Sequence, residues 1–169
     1  MGILDRIFGQ DRRDEVQQLY RACVARAREE HWFLAGAVPD TVDGRFDMIA
    51  AVLSTVLIRL EREPAGARPA VQLAEAFVDD IDPQLREIGI GDITVGKHVG
   101  RMMAAMGGRL GAYREAFAAG DLRPALVRNL YRGAAPEPAA LAHVADRLAA
   151  LGRALTDMPL HRLLNGELP

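Results

Sequence analysis

Gly91 to Lys97 reads G-x-x-x-x-G-K, the opening of a phosphate-binding loop. In such a loop backbone N–H groups cradle the phosphates, the lysine neutralises them, and a following Ser or Thr hydroxyl holds the metal. Here the following residue is His98. A phosphate loop also leaves a buried strand. The residues before this one place Ile81, Leu85 and Ile88 among Asp79, Asp82, Arg86 and Glu87, which is the spacing of an amphipathic helix. Nucleotide binding through Gly91–Lys97 therefore stands as the alternative reading, and the segment calls for another explanation.

The other chemically capable side chains do not assemble into a known pattern. His31, His98, His143 and His161 are scattered, with no pair four apart and no acidic neighbour in a zinc-protease arrangement. Asp79-Asp80-Ile81-Asp82 could hold a divalent cation, but Pro83 stands where a prenyl-synthase motif needs a further Asp. Asp79, Asp82 and Arg86 instead share a helix face and can pair there. Ser54, the only serine, lies inside an apolar helix, where a core-facing or back-bonded hydroxyl is expected. Cys23, the only cysteine, rules out an internal disulfide and a Cys-based zinc site, and reads as a buried structural thiol. No cofactor and no metal is called for.

These residues need helices to position them. No run alternates with the period of a half-buried strand. The first helix is expected from Arg13 to Ala35, carrying Val16, Leu19, Tyr20, Cys23, Val24 and Ala27, and ending at Gly36. A second starts near Gly44 with Asp43 as its cap and ends before Pro64. A third begins at Pro69, with a kink or break near Ile81 and Asp82 because Pro83 follows. A fourth runs from Asp92–Thr94 to Ala119. Gly96, Gly100, Gly107, Gly108 and Gly111 within it suggest close helix approach or a bend. A short helix covers Leu122 to Tyr131, and a last one Pro138 to Leu155. The fold class is all-α, a single-domain bundle of five to six main helices. The divisions are a short amphipathic segment over 1–12, the helical domain over 13–158 and an irregular tail over 159–169.

Charge and apolar patches narrow the partners. The 169 residues carry a formal charge of −2, which leaves no basic footprint for nucleic acid. No segment has the apolar length of a membrane span. Ile3, Leu4, Ile7 and Phe8 beside Arg6 form one amphipathic turn that either docks on lipid or folds back on the bundle. Met102, Met103 and Met106 fill the core or line an adaptable groove, the core being favoured.

Two polar segments remain, Val38 to Met48 and Asp82 to Lys97. Helix capping and turns account for their Asp and Gly residues, but less well for Arg45, Arg86, Glu87 and Lys97 clustered with them. On these segments, PDTVDGRFDM (Pro39 to Met48) and DPQLREIGIGDITVGK in that order, the chain resembles the ubiquinol–cytochrome c chaperone family. The opening Ile3 to Gly9 agrees, and the likeness spans roughly Gln18 to Ala119, with the C-terminal third less diagnostic.

The resemblance implies a non-enzymatic assembly chaperone for the respiratory bc1 complex, whose client is newly made cytochrome b. Mitochondrial relatives work with a small partner near the ribosomal exit, so a small partner protein and the ribosome are candidate partners. They also carry extra N-terminal sequence. This chain starts almost directly at the shared domain, so the expectation is a bacterial-type, cytoplasmic member, peripheral at the inner face of the membrane. A structural interaction domain of another membrane complex is a further alternative. The candidate client or partner contacts are Asp40, Asp43, Arg45, Arg86, Glu87, Asp92 and Lys97. Arg45 and Arg86 suit either contact or an intramolecular lock between the two segments.

Overall fold

The computed structural model describes the backbone of residues 16–87 and 92–169, and the side chains of 16–80 and 104–169. The expected N-terminal turn, Met102, Met103 and the side chains of Arg86, Glu87, Asp92 and Lys97 lie outside that range. Among the described residues there is no strand, and six helices have seven residues or more. The all-α expectation holds.

The first helix is broken where continuity was expected. Helix α1 covers residues 16–27, and α2 is Glu30–Leu34. Glu29 between them is extended, with ψ 136°. The cause is Trp32: its indole N–H donates to the Arg26 carbonyl at 2.7 Å, giving that carbonyl a side-chain partner at the end of α1. Trp32 is itself buried, so the turn is anchored in the core.

Helix α3, Val42–Leu60, is the centre of the molecule. Every residue from Asp47 to Leu57 is buried, so the helix is enclosed on all sides rather than along one stripe. Its cap is Thr41, not Asp43: the Thr41 hydroxyl accepts from the Gly44 N–H at 3.1 Å. Asp43 sits in the first turn, where a carboxylate suits the positive end of the helix dipole.

A 3₁₀ turn at Pro64–Gly66 leads into α4, Ala67–Glu87, two residues earlier than expected. The helix runs through Pro83 without a break. Helix α5 is Asp92–Ala119, α6 Arg123–Asn129, α7 Pro138–Asp157 and α8 Leu160–Leu164. Helices α4, α5 and α7 pack around α3, and α6 bridges α5 and α7. Cys23, Ser54 and Met106 are all buried, as expected of them. Among the described residues the close approach suggested at Gly107, Gly108 and Gly111 does not occur. A methyl group added at any of the three would meet nothing within 4 Å. They face away from the neighbouring helices because Met106, Leu110 and Tyr113 take the inward positions.

Arg59 ties the far end of α3 to the end of α7. It is 6% exposed, and its guanidinium donates to the Leu155 and Met158 carbonyls at 2.8 and 2.9 Å. Both carbonyls lie at the C-terminal end of α7, where backbone donors run out and only the Met158 N–H reaches Leu155, at 3.3 Å, and a cation there also meets the negative end of the dipole.

Candidate functional site

The first polar segment enters α3 as a tight corner. Gly44 packs so closely on the preceding strand of backbone that a Cβ there would lie 2.0 Å from the Pro39 carbonyl oxygen. This corner presents Asp40 and Arg45 to solvent, 61% and 59% exposed, joined by an ion pair of 2.6 Å. The guanidinium bound to Asp40 holds that carboxyl below the usual range. Val42 is 74% exposed between them, so the corner mixes charge with an apolar side chain.

Asp43 faces a different neighbour. Its carboxylate accepts from Arg132 Nη1 at 2.7 Å. One turn further along α3, Asp47 is buried and accepts from two arginines at once, Arg109 of α5 at 2.7 Å and Arg132 at 2.6 Å. Burial pushes the Asp47 carboxyl above its ordinary range, and the two guanidiniums pull against that shift. Arg109 also lies over the Phe46 ring, 5.2 Å from its centroid. Among the described residues the buried Tyr113 hydroxyl and Arg109 Nε have no hydrogen-bond partner, while Tyr131 donates to the Gly36 carbonyl at 2.6 Å. A small recess of about 160 Å³ opens here, with Pro39, Thr41, Asp43 and Arg132 among its walls.

Arg132 reaches both aspartates from a strained backbone. Its φ is +51°, and Gly133 follows at +88°. A non-glycine residue in the left-handed region costs about 1–2 kcal/mol, and the two ion pairs offset it. The segment after α6 is thereby clamped to the start of α3.

Asp40, Asp43 and Arg45 thus gather at one end of α3. Within the described residues Arg45 pairs inside its own segment and Asp43 pairs with Arg132. Arg86 and Glu87 close α4, Asp92 opens α5 and Lys97 lies within it, by backbone alone. Gly96 and Lys97 are helical. A phosphate loop needs those residues in a turn that follows a strand, and here α4 precedes them.

Asp47, Arg109 and Arg132 were not singled out by the sequence reading. Asp47 carried one usable signal, a carboxylate one turn after Asp43 in an otherwise apolar helix. Its partners, 62 and 85 positions away, carried none. The histidines were read as scattered, yet His31 Nδ1 and His143 Nε2 lie 3.0 Å apart, with Glu29 3.0 Å from the other His31 nitrogen. Among the described residues no group of three His, Cys, Asp or Glu could hold a metal ion.

The family model described as ubiquinol–cytochrome C chaperone matches residues 35–168. That range takes in the C-terminal third, which was the less diagnostic part of the resemblance, and starts later than Gln18. No curated protein matches the chain. Among solved structures it is similar to the Cbp3 homolog from Brucella abortus, 31% identical, covering 98% of this chain and 93% of that one with a TM-score of 0.85. A family match over so much of the chain, together with a fold shared almost end to end, makes this protein a member of the ubiquinol–cytochrome c chaperone family.

Proposed function

We propose that the chain binds newly made cytochrome b and holds it for assembly of the bc1 complex, by contact alone and without catalysing a reaction. The observation that carries this reading is the family match over residues 35–168. The charged corner at the start of α3 supports it, because Asp40, Val42 and Arg45 are exposed together, a mixture suited to the polar loops and apolar edges of a membrane-protein client. Arg86, Glu87, Asp92 and Lys97 complete the proposed contact set from the second motif. No helix among the described residues is long and apolar enough to cross a membrane. Any work at the membrane is therefore proposed to be peripheral, with Ile3, Leu4, Ile7 and Phe8 as the touching face.

The test is a pull-down from membranes with this protein as bait, scored for cytochrome b. The wild-type chain retains cytochrome b, and Arg45→Ala retains less while melting at the wild-type temperature. A solvent-exposed ion pair contributes little to stability, so a loss of binding there is a loss of contact. A bait that recovers no cytochrome b in any state of bc1 assembly overturns the reading.

A further inference from the structure

A second recess, of larger volume, lies away from the charged corner, toward the other end of α3. It encloses about 630 Å³ between the second half of α3, the end of α5, the start of α6 and α7. Its floor includes Ile58, Phe117, Ala145 and Ala149. Five arginines line it against two aspartates, in a chain whose formal charge is −2.

Not all of this charge is neutralised within the chain. Arg114 is held by Glu61, Arg123 by Asp121 and Arg59 by Glu63. Arg62 bonds the neutral Thr156 hydroxyl at 2.8 Å. Arg153 is exposed and makes no hydrogen bond or ion pair with a described residue. Two guanidiniums beside an apolar floor therefore lack a carboxylate. The guanidinium fork matches a carboxylate in two parallel hydrogen bonds.

We propose that this groove docks an amphipathic helix of a partner protein, one that presents a narrow apolar face flanked by glutamates or aspartates. The shape decides between occupants. A flat bilayer reaches cations that protrude, not cations set around a recess. An extended peptide would need a sheet edge to satisfy its backbone, and no strand exists among the described residues. A helix satisfies its own backbone and needs only side-chain complementarity. The proposal deepens the chaperone reading, and rests on it for the groove's role in the cell.

The probe is a fluorescently labelled designed helix with a leucine and alanine face flanked by glutamates, and a twin with lysines in place of the glutamates. Anisotropy titration with the full chain should show the glutamate helix binding at least about tenfold tighter than its twin, with affinity falling as salt rises. The double variant Arg62→Glu/Arg153→Glu should lose that preference. Arg147→Glu, an equal charge change on α7 outside the groove, should keep it. Gly152→Ala should weaken binding as well, since the added methyl would stand 2.8 Å from the Phe117 ring and force it to move. If the double variant does not fold, Arg153→Gln replaces it, because that side chain is exposed and unpaired. Equal binding of the two helices, or a preference that survives in the arginine variants, overturns the proposal. So does capture of anionic phospholipid vesicles, rather than the helix, that depends on Arg62 and Arg153. In cells lacking their own copy, failure of the wild-type chain to restore bc1 counts against the chaperone reading. Restoration by the double variant counts against the groove alone.

Discussion

Arg132 Nε lies 2.6 Å from the Asp47 carboxylate, across 85 positions of sequence. The aspartate side chain is fully buried while the arginine is half exposed. The pair fastens the turn after α6 to the central helix, and Arg109 approaches the same carboxylate from α5. One anion thus organises three segments, and the charged corner at Asp40, Asp43 and Arg45 is built on top of it.

Asp47→Asn keeps the shape and removes the charge. It leaves the mostly buried Arg109 facing a neutral amide, while the half-exposed Arg132 can turn to water, so the cost is about 1–3 kcal/mol. Urea unfolding should show a loss in that range with the helical spectrum retained in water. A loss under about 1 kcal/mol would mean that the network behaves as a surface pair.

Arg132 separates charge from backbone strain. Arg132→Ala loses both ion pairs and keeps the positive φ, whereas Arg132→Gly loses the pairs and relieves the backbone. The glycine variant should therefore be more stable than the alanine variant by about 1 kcal/mol. The reverse order in thermal melts would show that the left-handed conformation is not maintained without the arginine.

Gly44→Ala should be among the most damaging single-methyl changes in the molecule. The new Cβ would stand 2.0 Å from the Pro39 carbonyl oxygen and 2.9 Å from its carbon. Both are backbone atoms and cannot rotate away, so the corner must open, at a cost of about 3 kcal/mol. Thermal denaturation measures this. An unchanged midpoint would show that the corner is looser than its geometry.

His143 sets an acid limit. Burial, and then the neighbouring His31 ring, holds its pKa below the ordinary 6.5, with Arg147 lowering it further and Asp146 opposing. The folded state binds this proton less readily than the unfolded chain does. The associated stability is therefore present above about pH 6.5 and is lost as pH falls through the lowered value. Melting temperature should decline between neutral pH and pH 5, and His143→Gln should flatten that part of the profile. An equal decline in the variant would assign the effect to other groups.

The helical class and most helix ends were readable because they depend on local chemistry: apolar recurrence at three and four, and Pro or Gly at the boundaries. Pro138 opens α7 for that reason, and Asp92 opens α5 where the pattern starts. The break before α2 was not readable. It depends on the Trp32 indole turning back to Arg26, a tertiary placement that periodicity does not encode. The cap of α3 was misplaced by two residues because Thr41 and Asp43 are both good caps in isolation. Gly44 selects Thr41, since its N–H is the donor in reach. In the charged corner, residue type and the first motif singled out Asp40, Asp43 and Arg45 as candidates. The buried anion beneath them escaped notice because its partners lie two and three helices downstream.

The central helix also has a place in time. A chain made from its N-terminus lays down α3 early, yet both ends of that helix hold a buried charge that draws partners from late in the chain. Asp47 waits for Arg109 and Arg132, and Arg59, which has Glu63 one turn on as an early partner, waits for the Leu155 and Met158 carbonyls. A ribosome that has released only the first half of this protein has released a helix that cannot yet be enclosed. Completion of the fold is therefore a late event in synthesis, timed by the emergence of α7.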